Sequence, residues 1–149
     1  MNFQEYEALC DKAIESLGTG TNAVQPVASE SLRLNGVTID LVFDEPQSLL
    51  TVVCHLGQPA EEHRTQVYEQ LLHLQMLSLH MPGLRFGYDP KLDEVLYCAS
   101  AEVDTDTTPE WLAKLMSTMA HQAEAWRNGM LDGQMVVLAG QLEAELLAD

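Results

Sequence analysis

At 149 residues, 46% hydrophobic and 20% charged, the chain has the composition of one folded domain and not of a disordered segment. Seven Lys and Arg stand against 23 Asp and Glu, a net charge of −16. Such a surface repels phosphate backbones and anionic lipid, which argues against nucleic acid and membrane surfaces as partners. The same acidity suits either of two roles, keeping a sticky dimer soluble or attracting a basic or polar polypeptide. The start, Met1-Asn2-Phe3-Gln4-Glu5, lacks the basic and apolar regions of a secretory signal, and no apolar run approaches the ~20 residues of a membrane span. Cys10, Cys54 and Cys98 are odd in number and far apart, which fits reduced, mostly buried thiols in a cytoplasm.

In chain order, Phe3, Tyr6, Leu9, Ala13, Ile14 and Leu17 recur at helical steps and predict an amphipathic helix over about Asn2 to Leu17. Thr21 to Ser29 reads as a loop. Leu32 to Leu34 and Val37 to Phe43 alternate with period two around Asn35-Gly36, a two-residue hairpin signal because both positions tolerate positive φ. Leu49 to Leu56 is a third strand, apolar on both faces. Gly57-Gln58-Pro59 then opens a long helix that runs to about His80, where Met81-Pro82-Gly83 stops it. Its apolar stripe is Val67, Leu71, Leu74, Leu77 and Met81, widened by Leu72, Met76 and Leu79. One sheet face needs less, so the stripe predicts a helix covered on two sides, by its own sheet and by a second subunit.

Leu84 to Tyr88 and Glu94 to Ala101 are two further strands joined by a turn at Asp89 to Asp93. Thr107 or Thr108 caps a third helix that carries Trp111, Leu112, Leu115, Met119, Gln122 and Trp126 toward about Asn128. From Met130 the residues Leu131, Met135, Leu138, Leu142 and Leu146 are spaced as a further helix, weakened by Gly133 and Gly140. The expected architecture is therefore α+β, in the order α-β-β-β-α-β-β-α, with an antiparallel twisted sheet packed with helices over residues 1–128. A C-terminal helical extension follows over 129–149.

Catalytic signals are sparse. His73 and His80 are about 10 Å apart along one helix, too far to share an ion, and Cys54 and His55 point to opposite faces of a strand. There is no HExxH, no G-x-S-x-G elbow and no glycine-rich phosphate loop after a strand. Glu61 and Glu62 suit a helix start through its dipole. The expectation is a protein that is not an enzyme and takes no metal or cofactor. Phe3 and Tyr6, on a helix at the extreme N-terminus, read either as core packing or as an incompletely covered apolar surface.

Several local patterns stand in a shared order. They are Phe3-x-x-Tyr6-x-x-Leu9, Leu34 to Leu41, Leu49 to Gly57, Tyr68 to Gln75, Arg85 to Asp89, and Glu94 to Tyr97. Together, over about Met1 to Asn128, the chain resembles the class I type III secretion chaperones, the CesT/Tir chaperone family. It departs from that pattern at Gln75, where many members carry Asn, and in the longer tail from Met130. The resemblance implies a homodimer in the bacterial cytoplasm, without nucleotide or metal, that holds the N-terminal segment of a secreted effector in extended form. It implies a dimer interface on the second helix and fourth strand, matched here by Leu74, Leu77, Leu84, Phe86 and Tyr88. It implies effector grooves matched by Phe3, Tyr6, Leu34, Ile39, Leu41 and Phe43, with strand addition at a sheet edge. The secretion-system ATPase is a candidate further partner. The alternative is a regulator of the same fold that sequesters a transcription or signalling factor. A third reading, a metal- or thiol-dependent enzyme, would rest on Cys54, His55, His73 and His80.

Overall fold

The computed structural model describes residues 1–20, 22, 24–28, 30–77 and 84–132. The predicted stop at Met81-Pro82-Gly83 and the helical extension from 133 onward lie outside the described residues. Helix α1 (Phe3–Gly18) starts at a cap that Asn2 supplies. The Asn2 side chain accepts from the Glu5 amide at 2.8 Å, and the Glu5 carboxylate accepts from the Asn2 amide at 3.2 Å, so two of the orphan donors of the first turn are satisfied. Tyr6, Leu9, Cys10, Ala13 and Leu17 form its buried stripe.

Six strands follow: β1 (Val24–Ala28), β2 (Ser31–Leu34), β3 (Val37–Asp44), β4 (Leu49–Gly57), β5 (Leu84–Asp89) and β6 (Glu94–Glu102). They form one antiparallel sheet in the order β1-β2-β3-β4-β6-β5. Asn35 at φ 52° and Gly36 at φ 85° make the expected tight hairpin between β2 and β3. Strand β1 corrects the sequence reading, which placed a loop there and so counted one strand too few. Val24-Gln25-Pro26-Val27-Ala28 is short, lacks alternation and contains a proline. At a sheet edge, though, the missing N–H of Pro26 costs no ladder bond, and the register shifts just after it.

Between β4 and β5 the chain makes a 3-10 turn (Glu61–His63) before helix α2 (Arg64–Leu77), so the helix begins later than Pro59 suggests. Helix α3 (Pro109–Asp132) starts at Thr108, whose hydroxyl accepts from the Trp111 amide at 3.2 Å. It continues past the expected end near Asn128, so the boundary drawn between 128 and 129 falls within one helix. Arg127 donates to the Gly36 carbonyl at 2.9 Å, tying the last turns of α3 to the β2–β3 hairpin.

Period-two alternation divides the sheet into two unlike faces. Val37, Ile39 and Leu41 of β3, Leu50, Val52, Cys54 and Leu56 of β4, and Val95 and Tyr97 of β6 are buried, and they join one core with the apolar sides of all three helices. Trp126 of α3 wedges edge-on against Phe86 and Tyr97, with ring centroids 4.9 and 4.7 Å apart. Each fully buried aliphatic chain here contributes about 1.5–3 kcal/mol. On the opposite face Thr38, Asp40, Thr51, Val53 and His55 are half-buried and Val42 is exposed, as on a sheet face over which no described helix lies. No described helix is long and apolar enough to cross a membrane.

Candidate protein-binding surfaces

Among the described residues two apolar surface regions stand out, one over the end of β3 and one beside the edge strand β5. The first is a corner where α1 starts and β3 ends. Tyr6 is fully buried and lies flat on Phe43, with ring centroids 4.4 Å apart and planes within 7°. Phe3 tilts over both at 5.7 and 6.4 Å and stays 42% exposed. Sequence places Phe3 and Phe43 forty residues apart; the cap at Asn2 and the run of β3 bring them together. Burial pushes the Tyr6 phenol far up, with the neighbouring Cys10 adding to it, so the ring stays neutral beneath the corner.

The second region is the outward side of α2 against β5. Val67, Leu71 and Leu74 take the core side of the helix, which leaves Leu72 and Met76, four residues apart, 69% and 64% exposed. Tyr88 on β5 is 51% exposed, meets Tyr68 edge-on at 6.2 Å and donates a hydrogen bond to Asp93. Between helix and strand lies an apolar cavity of about 270 Å³ lined by Tyr68, Leu72, Gln75, Phe86 and Tyr88 among others. The Gln75 amide fixes the distance between the two elements. Its oxygen accepts from the Phe86 backbone N–H at 2.7 Å and its nitrogen donates to the Phe86 carbonyl at 3.4 Å.

Among the described residues, groups for catalysis do not converge at either surface. All three thiols are buried. Burial pushes Cys10 up to about 11 and raises Cys54 and Cys98 as well, so none is a ready thiolate at neutral pH. Among the described residues no three His, Cys, Asp or Glu side chains gather as metal ligands. His80 lies outside the described residues.

The sequence matches the model of the Tir chaperone protein (CesT) family over residues 19–127. The chain belongs to that family. No curated relative matches it by sequence. Among solved structures, it resembles a chain from the crystal structure of the ExsC–ExsE complex at a TM-score of 0.66 and 18% identity, covering 88% of this chain and 98% of that one. It also resembles a chain from the HopA1–SchA chaperone–effector complex at 0.60 and 18%, covering 83% and 94%. At such identity the likeness concerns the fold, and the family's α+β sheet is the one described above.

On this CesT-family protomer the residues singled out in the sequence separate into walls and floor. Of the expected effector-binding set, Phe3 is exposed and Phe43 partly buried, while Tyr6, Leu34, Ile39 and Leu41 are at most 2% exposed. Tyr6 supports the corner from beneath, and none of the four offers a partner side-chain surface. Of the expected dimer set, Tyr88 is exposed, but Leu74 and Phe86 are core residues. The side chains of Leu77 and Leu84 lie outside the described residues. Among the described side chains of α2, the exposed apolar ones are Leu72 and Met76. The width of the stripe signalled them, since they occupy the part left over once Val67, Leu71 and Leu74 are assigned to the core.

Proposed function

We propose that this protein is a type III secretion chaperone that works as a homodimer and holds the N-terminal segment of an effector in extended form. The observation that carries the reading is the pair of separate uncovered apolar surfaces on one small acidic protomer of a chaperone family. The α2–β5 face, with Leu72, Met76 and Tyr88 around a cavity, fits a second copy, whose Leu72 or Met76 would fill that cavity by two-fold symmetry. The Phe3–Tyr6–Phe43 corner fits apolar side chains of the client, and the free edge of β1 offers it backbone pairing. A client threaded this way cannot bury its own apolar residues, and so stays unfolded for export. Its ordering entropy is offset by the large surface it covers. Nothing in this mechanism needs a nucleotide or a metal.

The test is to isolate tagged protein from the cytosol of its own source, weigh the complex by light scattering, and identify what co-purifies by mass spectrometry. The expected result is two copies of this chain with one exported protein, retained through its N-terminal segment alone. Recovery of only a resident transcription or signalling factor would replace this reading with the regulatory one. Neither outcome depends on recognising the client in advance.

A further inference from the structure

The face of the sheet that no described helix covers holds a polar cluster that neither proposed surface uses. His55 of β4 has Nε2 2.6 Å from Asp40 Oδ2 on β3 and Nδ1 2.9 Å from Glu94 Oε2 on β6. The Ser31 hydroxyl on β2 donates to the other Asp40 oxygen at 2.7 Å, extending the chain of bonds across four adjacent strands. The His55 side chain is only 17% exposed. An ionised carboxylate only accepts, and a neutral imidazole has a single N–H. Both ring nitrogens face carboxylates, so only the imidazolium satisfies both contacts. We propose that Asp40, His55 and Glu94 form a proton-controlled clamp that ties β3, β4 and β6 together across the open face and releases as the pH rises.

The charged groups acting on the ring are Asp40 from β3 and Glu94 from β6. On the same face by register, Arg33 of β2 stands opposite Thr38, and Arg85 of β5 stands opposite Cys98 and donates to Ser100 at 3.2 Å. His55 shares its side of β4 with Thr51 and Val53, which carry no charge. Burial by itself lowers the affinity of the ring for its proton. The hydrogen bonds and charges of Asp40 and Glu94 outweigh it, leaving His55 above its ordinary 6.5. The folded protein therefore binds this proton more tightly than the unfolded chain does. The stabilisation is complete below about pH 6.5 and is lost as the pH rises through the higher folded-state value. Deprotonation leaves one carboxylate facing a ring lone pair, with no cation between Asp40 and Glu94.

This inference is independent of the chaperone reading and needs only the purified full chain. The experiment follows the His55 ring by NMR and the urea midpoint from about pH 6 to about pH 9, in the wild type, His55→Gln and Glu94→Gln. The ring is expected to titrate above 6.5 in the wild type and at lower pH in Glu94→Gln. The wild-type midpoint is expected to fall through the same range, while that of His55→Gln stays flat there. A wild-type ring that titrates at or below 6.5 overturns the proposal, as does an equal pH slope in wild type and His55→Gln. Should His55→Gln fail to fold, the ring titrations of the wild type and Glu94→Gln decide alone, and identical values in the two refute the clamp.

Discussion

The α1–β3 corner and the α2–β5 face are both apolar and both exposed, but their side chains are in different circumstances. At the corner the aromatic rings already satisfy one another. Tyr6 lies flat on Phe43, and only Phe3 retains much open surface. On the α2–β5 face, Leu72 and Met76 stand well over half exposed beside an apolar cavity. A surface whose residues pack together in the free protein tolerates a partner that comes and goes. One whose residues stand in water favours permanent cover. On the proposed function, this difference is the reason to place the client at the first and a second copy at the second.

The largest expected effect tests the distinction between floor and wall at the corner. Ile39 is fully buried on β3, opposite Cys54 of β4. Ile39→Asp puts an unpaired carboxylate into that layer at a cost of several kcal/mol, comparable with the whole stability of a domain this size. Circular dichroism and urea titration should find it unfolded or nearly so. A folded Ile39→Asp protein that fails only to bind client would return Ile39 to the binding surface.

Next in size is the α2–β5 face. Leu72→Asp with Met76→Asp changes two exposed residues that no core contact needs, so the protomer should keep its helical signal and urea midpoint. Dimerisation should weaken by about 2 kcal/mol or more, roughly thirtyfold, as for central interface residues. Light scattering across a dilution series reads this directly. A double variant that dimerises as the wild type does would put the second copy elsewhere. Phe3→Ala carries the matching expectation for the corner, a loss of about 1.5 kcal/mol or tenfold in affinity for the effector segment, with the dimer unchanged. Titration calorimetry against the segment checks it.

The sequence made most of this fold legible because its elements are locally consistent. The 3.6-residue stripe of α1, the Asn35-Gly36 hairpin and the alternation of β3 each point to the structure that forms. Strand β1 escaped because its evidence is not local: Pro26 and Val27 become strand only by pairing with β2 at an edge. Of the side chains the sequence singled out for binding, Phe3 and Tyr88 stand exposed and Phe43 is partly buried, while Tyr6, Leu34, Ile39, Leu41, Leu74 and Phe86 are core. Period two shows that Ile39 and Leu41 share a face with Phe43, but not that α1 and α3 cover the first two and leave the third at the rim. Likewise the breadth of the α2 stripe shows more apolar surface than one sheet face needs, without saying which side Leu74 takes. The His55 cluster was illegible for a related reason, since Asp40 and Glu94 reach it from neighbouring strands at positions only the register defines.

The smallest expected effect asks whether the two regions are independent. Asn2 caps the turn that carries Phe3 and Tyr6, and Asn2→Ala should cost about 1 kcal/mol of stability. The loss should not be shared evenly. Tyr6 is held by its stack on Phe43, whereas Phe3, the first residue of the helix, depends on the cap for its orientation over the other two rings. Affinity for the effector segment should therefore fall by a few-fold, and Asn2→Asp, which can still accept from the Glu5 amide, should restore it. Dimer dissociation should not move, because α1 lies at the β1–β3 end of the sheet and α2 at the β5 end. If Asn2→Ala loosens the dimer as much as it weakens client binding, the sheet transmits strain from edge to edge. The corner and the α2–β5 face would then be two ends of one coupled surface.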